Sequence, residues 1–133
     1  MTLRQAYSFN DFRFDGDAAY GDNQLPGAPR HLYRAELRYR HPAGASIAPV
    51  VEWVPQGFFA DNANTLKTKG YATLGLRAGW EFGNGLSVFA EGRNLTDRRY
   101  ISNGSVAPVA TLNSALFEPG FGRSVYGGVQ FRF

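Results

Sequence analysis

The sequence has no cysteine, so neither a disulfide framework nor a thiolate metal site can form. That absence leaves the compartment open, because an oxidising space permits cysteine without demanding it. No stretch approaches the roughly 18 consecutive apolar residues of a membrane-crossing helix, and helix-friendly segments of any kind are scarce. The first residues, Met1 to Tyr7, lack the apolar stretch of a signal peptide. An exported chain would therefore begin mid-protein, and a chain that begins here is not exported as it stands. There is also no basic run. The net charge is +3 and the pI about 9.4, but the arginines are spread out and alternate with apolar residues. That pattern fits a half-polar sheet better than a nucleic-acid-binding arm.

What is present is turn-forming and aromatic. The 133 residues include 16 Gly, 11 Phe and 7 Tyr, with 44% hydrophobic residues overall. This suits one β domain with many turns. Period two dominates. Between His31 and His41, Leu32, Arg34, Glu36, Arg38 and Arg40 share one face, and Tyr33, Ala35, Leu37 and Tyr39 the other. Between Tyr71 and Phe82, Ala72, Leu74, Leu76, Ala78, Trp80 and Phe82 oppose Tyr71, Thr73, Gly75, Arg77, Gly79 and Glu81. At the end, Val125, Gly127, Val129, Phe131 and Phe133 alternate with Tyr126, Gly128, Gln130 and Arg132.

Three further strands are expected. Leu86–Tyr100 sets Leu86, Val88 and Ala90 against Ser87, Glu91 and Arg93, with Phe89 out of place on the polar face. Ala45–Phe59 sets Ile47, Val51, Trp53 and Phe59 against Glu52 and Gln56, with irregularity expected at Pro49 and Pro55. Leu3–Phe14 reads as a strand from its aromatics. The connections alternate in length. His41–Ala45 and Gly83-Asn84-Gly85 are short turns. Asp15–Arg30, Ala60–Gly70 and Ile101–Gly122 are long and rich in Gly, Pro, Asn, Asp and Ser. The expected fold is all-β, an antiparallel up-and-down meander of about six strands.

Alternation alone fits both a soluble sandwich and a membrane barrel. Several segments reach about 10 residues, enough to cross a bilayer when tilted, whereas soluble strands run nearer 5 or 6. Tyr33, Tyr39, Trp53, Trp80, Phe82, Phe131 and Phe133 fall near strand ends on apolar faces, where an interfacial girdle would lie. The alternative is a soluble β-sheet domain that binds an apolar ligand or a protein partner; which face points outward separates the two.

Two motifs then carry a resemblance. Gly92 to Tyr100, GRNLTDRRY, resembles the E-N-L-x-D-x-x-Y stretch near the end of TonB-dependent outer-membrane receptors, through Asn94, Leu95, Asp97 and Tyr100. Arg93 stands where the family usually has Glu, and Glu91 lies two positions earlier. Glu118 to Val129 resembles the family's P-G-x-x-R approach to the final strand, through Pro119, Gly120 and Arg123. Phe133 matches the terminal aromatic that the family presents to the barrel-assembly machinery, and Leu25–His31 resembles one of its loop-to-strand segments.

The resemblance implies the last six strands of a barrel of about 22, with short turns at the periplasmic side and long loops outside. It implies an outer-membrane location in a Gram-negative bacterium and active uptake of iron-siderophore or a similar nutrient. Partners would be outer-membrane lipid, the rest of the barrel and its plug, and TonB through an N-terminal part not seen in this sequence. Six strands cannot close a membrane barrel, so this chain alone is not expected to transport. Arg34, Glu36, Arg38, Arg40, Glu52, Arg77, Glu81, Glu91 and Arg93 would face the lumen, where they bond across strands and to the plug or line the ligand path.

No enzyme constellation, cofactor site or metal site emerges. His31 and His41 sit at opposite ends of one strand, roughly 33 Å apart at strand rise. Asp61, Asn62 and Asn64 lack the spacing of a calcium loop and read as loop polar groups. Lys67, Lys69, Arg98 and Arg99 lie near the outer rim, as a solvated loop face or an attractor of an anionic chelate or lipid phosphate.

Overall fold

A chain whose side chains alternate apolar and polar can segregate them by lying extended and pairing with its neighbours. The computed structural model, which describes residues 1–111, 113–114 and 116–133, does this in one sheet. Its strands are β1 (Thr2–Phe9), β2 (His31–Arg40), β3 (Ala45–Val54), β4 (Tyr71–Glu81) and β5 (Leu86–Arg93). A small hairpin, β6 (Ile101–Gly104) and β7 (Phe117–Pro119), precedes the last strand, β8 (Ser124–Phe131). The sheet order is β1-β2-β3-β4-β5-β8, an antiparallel up-and-down meander with open edges at β1 and β8. No helix occurs among the described residues.

The register fixes the faces. Leu3 lies opposite Leu37, Tyr33 opposite Trp53, Val51 opposite Leu74, Trp80 opposite Val88, and Leu86 opposite Phe131. Followed across the six strands, that face carries no Asp, Glu, Lys or Arg. All the charge is on the other face: Arg4, Arg34, Arg38, Arg40, Arg77 and Arg93 against Glu36, Glu52, Glu81 and Glu91. Yet the apolar face is the open one. Trp53 is 51% exposed and Val129 71%, whereas Glu36 is only 9% exposed. Among the described residues the buried apolar side chains are few: Ala48, Val54, Phe58, Ala60 and Ala110. Among the described residues the sheet is a single layer with no second layer packed on its apolar side, the reverse of a water-soluble sandwich.

Phe89, the aromatic out of place, sits on the polar face above glycines. Its partners across the two ladders are Gly79 and Gly128, and a side chain at Gly128 would collide with its ring. The tight turns leave β2 and β4. Gly44 and Gly85 adopt φ of 95° and 84°, which favours glycine. Each also lies flat against the neighbouring strand: Glu81 N donates to Gly44 O, and Arg132 N to Gly85 O.

Three strands stop short of the expected span. Leu3–Phe14 ends at Phe9, although Phe12 and Phe14 stay loosely paired with Leu25 and Asn23. Ala45–Phe59 ends at Val54, where Pro55 has no N–H to continue the ladder. Leu86–Tyr100 ends at Arg93, because Asn94 turns left-handed at φ 45°. Pro49 stays within β3 opposite Leu76, but towards β2 the pairing skips from Glu36–Val50 to Tyr39–Ile47. The connection Ile101–Gly122 is not one plain loop, since it holds the β6–β7 hairpin; its residues Leu112 and Ala115 lie outside the described residues.

Candidate functional site

Three arrangements concentrate the polar chemistry. The first is a lattice of ion pairs on the charged face. Small residues at Ala48, Gly75 and Gly79 leave room for long side chains to reach across β3 and β4. Glu36 of β2 meets Arg77 of β4 at 2.7 Å and Arg38 at 3.0 Å. Arg77 continues to Glu91 of β5 at 3.2 Å, and Glu91 also binds Arg93. Five charges from β2, β4 and β5 thus alternate in sign, passing over β3. Arg34 pairs with Glu52 at 2.6 Å, and Glu52 also accepts from the Tyr71 hydroxyl at 2.8 Å. Arg40 meets Glu81 at 3.3 Å, nearer the tight turns. Beside the lattice, towards the long-loop end, lies a cavity of about 220 Å³ lined by Glu52, Arg77, Glu91, Arg93 and Tyr100.

The second is a brace between the end of β5 and the approach to β8. Asn94 is buried and its amide donates to the carbonyls of Arg98 and Phe121, while its oxygen accepts from Arg98 N at 2.9 Å. Leu95 folds over Gly92, where a side chain would collide with it, and its N–H extends the β4 ladder to Leu74 O. Asp97 accepts from Arg123 N at 3.1 Å. Gly120 lies against the flat face of the Tyr100 ring, leaving no room for a Cβ, and that ring stacks on Tyr71 at 4.1 Å. Pro119 closes β7 opposite Ile101. Six of the eight motif residues therefore meet in one place, with Pro119 next to them. Phe133 does not join them; it is fully exposed beyond β8, its ring 6.2 Å from that of Phe131.

The third arrangement is a clasp among the long loops. Asp61 is completely buried. One carboxylate oxygen accepts from Thr65 N and Leu66 N, the other from the Thr65 hydroxyl and from Ala110 N at 3.2 Å. Burial opposes ionisation here, but these hydrogen bonds outweigh it and hold the carboxyl below the ordinary Asp range. The neighbouring Asn64, at φ 57°, exchanges two hydrogen bonds with the backbone of Gln24, both 2.8 Å. Asn62 N donates to Ala107 O, and Asn62 O accepts from the Asn23 amide. Residues from all three long connections are thus tied to the segment 61–64.

The remaining candidates are separate. The His31 ring nitrogen bonds the Tyr7 hydroxyl at 2.8 Å, whereas His41 accepts from Ala43 N inside its turn. The Lys67 ammonium lies over the Phe59 ring and donates to Gln56.

The family model "TonB dependent receptor-like, beta-barrel" matches residues 1–95. The chain belongs to this family. Two solved structures extend the likeness past Leu95. The ferric yersiniabactin uptake receptor FyuA from Yersinia pestis is 26% identical, covers 91% of the chain and superposes with a TM-score of 0.70. The siderophore receptor PiuA from Acinetobacter baumannii is 18% identical, covers 97% and reaches a TM-score of 0.78, a likeness of fold. The chain spans 19% of the length of each of these proteins.

For this TonB-dependent receptor chain, the clasp is what sequence reasoning missed. Asp61 and Asn64 looked like ordinary loop polar groups, since nothing in their spacing announces partners 40 or more residues away. The ion-pair lattice had a readable signal in alternating Arg and Glu, but its cross-strand partners depend on register.

Proposed function

We propose that this chain supplies wall strands and three outer loops of an outer-membrane receptor for active uptake of an iron-siderophore chelate or a similar nutrient. The single observation that carries this reading is the segregation of charge. Six strands place every charged residue on one face and leave an exposed face of Leu, Val, Ile, Trp and Phe. Such a face is costly in water and favourable in hydrocarbon. Strands of 8 to 11 residues at about 3.3 Å per residue and about 40° tilt give roughly 20–28 Å of height, matching an apolar band of about 25 Å.

In this reading the six strands are the last of the barrel and the charged face lines its lumen. The tight turns are periplasmic, and the clasped loops stand outside. Phe133 stands exposed just past β8, where the assembly machinery would bind it. The open edges of β1 and β8 take further strands, because unpaired backbone in lipid costs several kcal/mol per group. Transport itself requires the plug and the TonB contact of the full receptor.

The test is partitioning of the full chain between buffer and detergent micelles while Trp53 and Trp80 fluorescence is followed. Aggregation in buffer, folding in micelles, and quenching of both tryptophans by lipid-borne quenchers are expected. A soluble monomer with buried tryptophans would replace this reading with a soluble sheet domain.

A further inference from the structure

Connections between strands are ordinarily the loosest and most independent parts of a sheet protein. Here they hold the best-buried side chains. Outside β3, the buried apolar residues among those described are Phe58, Ala60 and Ala110, all in or beside the long connections. Asp61 and Thr68 are buried with them.

The bonds between the connections form a hub. The first connection, Asp15–Arg30, meets the second, Ala60–Gly70, where Gln24 bonds Asn64 and where the Asn23 amide donates to Asn62 O at 3.0 Å. Gly27 N adds a bond to Phe59 O at 2.9 Å. The second meets the third, Ile101–Gly122, through the Asp61 carboxylate and Ala110 N. Asn62 N donates to Ala107 O at 3.0 Å, and Ala63 N to Pro108 O at 3.2 Å. Among the described residues no hydrogen bond joins the first connection to the third, although Val106 comes near Gly27. The two sides of the hub share one turn. Asn64 N and the Asn64 side-chain amide both donate to Asp61 O, at 3.1 and 3.2 Å. The Asp61 carboxylate in turn holds Thr65 N and Leu66 N. The turn that aims Asn64 at Gln24 is thus the turn that aims Asp61 at Ala110. It includes a left-handed residue at Asn64, a conformation that its surroundings must hold in place.

We infer that the three long connections are one cooperative unit, opening and closing together about the Asp61–Asn64 turn, so that a partner that orders one of them orders the other two. The bonds lie within one chain and do not depend on the receptor reading. Coupling of this kind is reciprocal, so it runs from the first connection to the third and back.

Hydrogen–deuterium exchange of the full chain in micelles is the test, with each perturbation placed on one side of the hub and read on the other. Asn23→Ala removes one bond from the first connection. It should speed exchange at Ala107 and Ala110, with which Asn23 makes no hydrogen bond, by about fivefold, the factor for one lost hydrogen bond. Gln24 and Gly27 should change by the same factor, because one opening exposes them all. Asp61→Asn acts on the turn and on Ala110, and should likewise speed exchange at Gln24 and Gly27. Val106→Ala trims the direct approach to Gly27 and should leave the transmission intact. Amides of β2 to β4 should keep their protection in every variant. The inference is overturned if Asn23→Ala speeds only the first connection, if Asp61→Asn leaves Gln24 and Gly27 unchanged, or if Val106→Ala abolishes the transmission. A matching loss of protection throughout β2 to β4 also overturns it, since the connections would then report unfolding of the whole sheet. A chain that folds without detergent refutes the receptor reading instead, and the same exchange measurement then decides the coupling in buffer.

Discussion

Replacing Asp61 with Ala should open the loop clasp while leaving the six-stranded sheet paired. The substitution removes the acceptor of four hydrogen bonds, from Thr65 N, the Thr65 hydroxyl, Leu66 N and Ala110 N. Three of these donors are backbone N–H groups, and Asp61 itself is completely buried. Each buried donor left without a partner costs about 1–3 kcal/mol, so the clasp should lose about 3–6 kcal/mol, allowing for partial rehydration. Asp61→Asn keeps one acceptor for Thr65 N and Leu66 N but turns an NH2 towards the Thr65 hydroxyl and Ala110 N, so its cost should fall between Ala and wild type. The ionised form is the one these bonds favour. Asp61 therefore gives its full contribution above its unfolded value of about 3.9, and loses it as the pH falls through the lowered folded value. Hydrogen–deuterium exchange in micelles is the assay. Residues 57–70 and 105–111 should exchange much faster in Asp61→Ala, with β2 to β4 unchanged. Unchanged protection of Leu66 and Ala110 would refute the reasoning.

Other expectations follow from the faces and the brace. Leu76→Arg, at mid-strand on the apolar face, should destabilise the chain in bilayers by about 2–4 kcal/mol, while Thr73→Arg on the charged face should be tolerated; urea unfolding in vesicles compares them. Gly120→Ala should force Tyr100 off Tyr71, costing about 1–3 kcal/mol, and the change in tyrosine near-ultraviolet dichroism reports it. Asn94→Ala removes three hydrogen bonds and a left-handed residue, so refolding yield should fall and the segment 94–100 should become open to proteolysis.

The sheet was legible in the sequence because its physics is local. Period two marked the strands, and Gly44 and Gly85 marked the turns. The strand ends were less legible, because aromatic residues such as Phe12 and Phe59 continue the strand-like composition after the ladder has lost its regular pairing. The β6–β7 hairpin was missed because strands of four and three residues, made of Ile-Ser-Asn-Gly and Phe-Glu-Pro, carry no period to read. Phe89 looked like an error in the pattern until the register put glycines on both sides of it. The motif residues around Asn94 were visible as a resemblance, but their mutual bracing needs the chain to return some 26 residues later, as from Asp97 to Arg123.

The clasp also bears on the shape of the wall. The two ends of the sheet are fastened by different means. At the tight-turn end the strands are held by their ladders, by the four-residue connections 41–44 and 82–85, and by the exposed Arg40–Glu81 pair. At the other end, segment 61–64 joins connections that leave from β1, β3 and β5. The clasp acts as a drawstring there, fixing how far apart alternate strands can spread. Twist and flare of the wall should therefore be absorbed mainly at the tight-turn end, where the exposed Arg40–Glu81 pair across β3 adds little to neighbour-to-neighbour pairing.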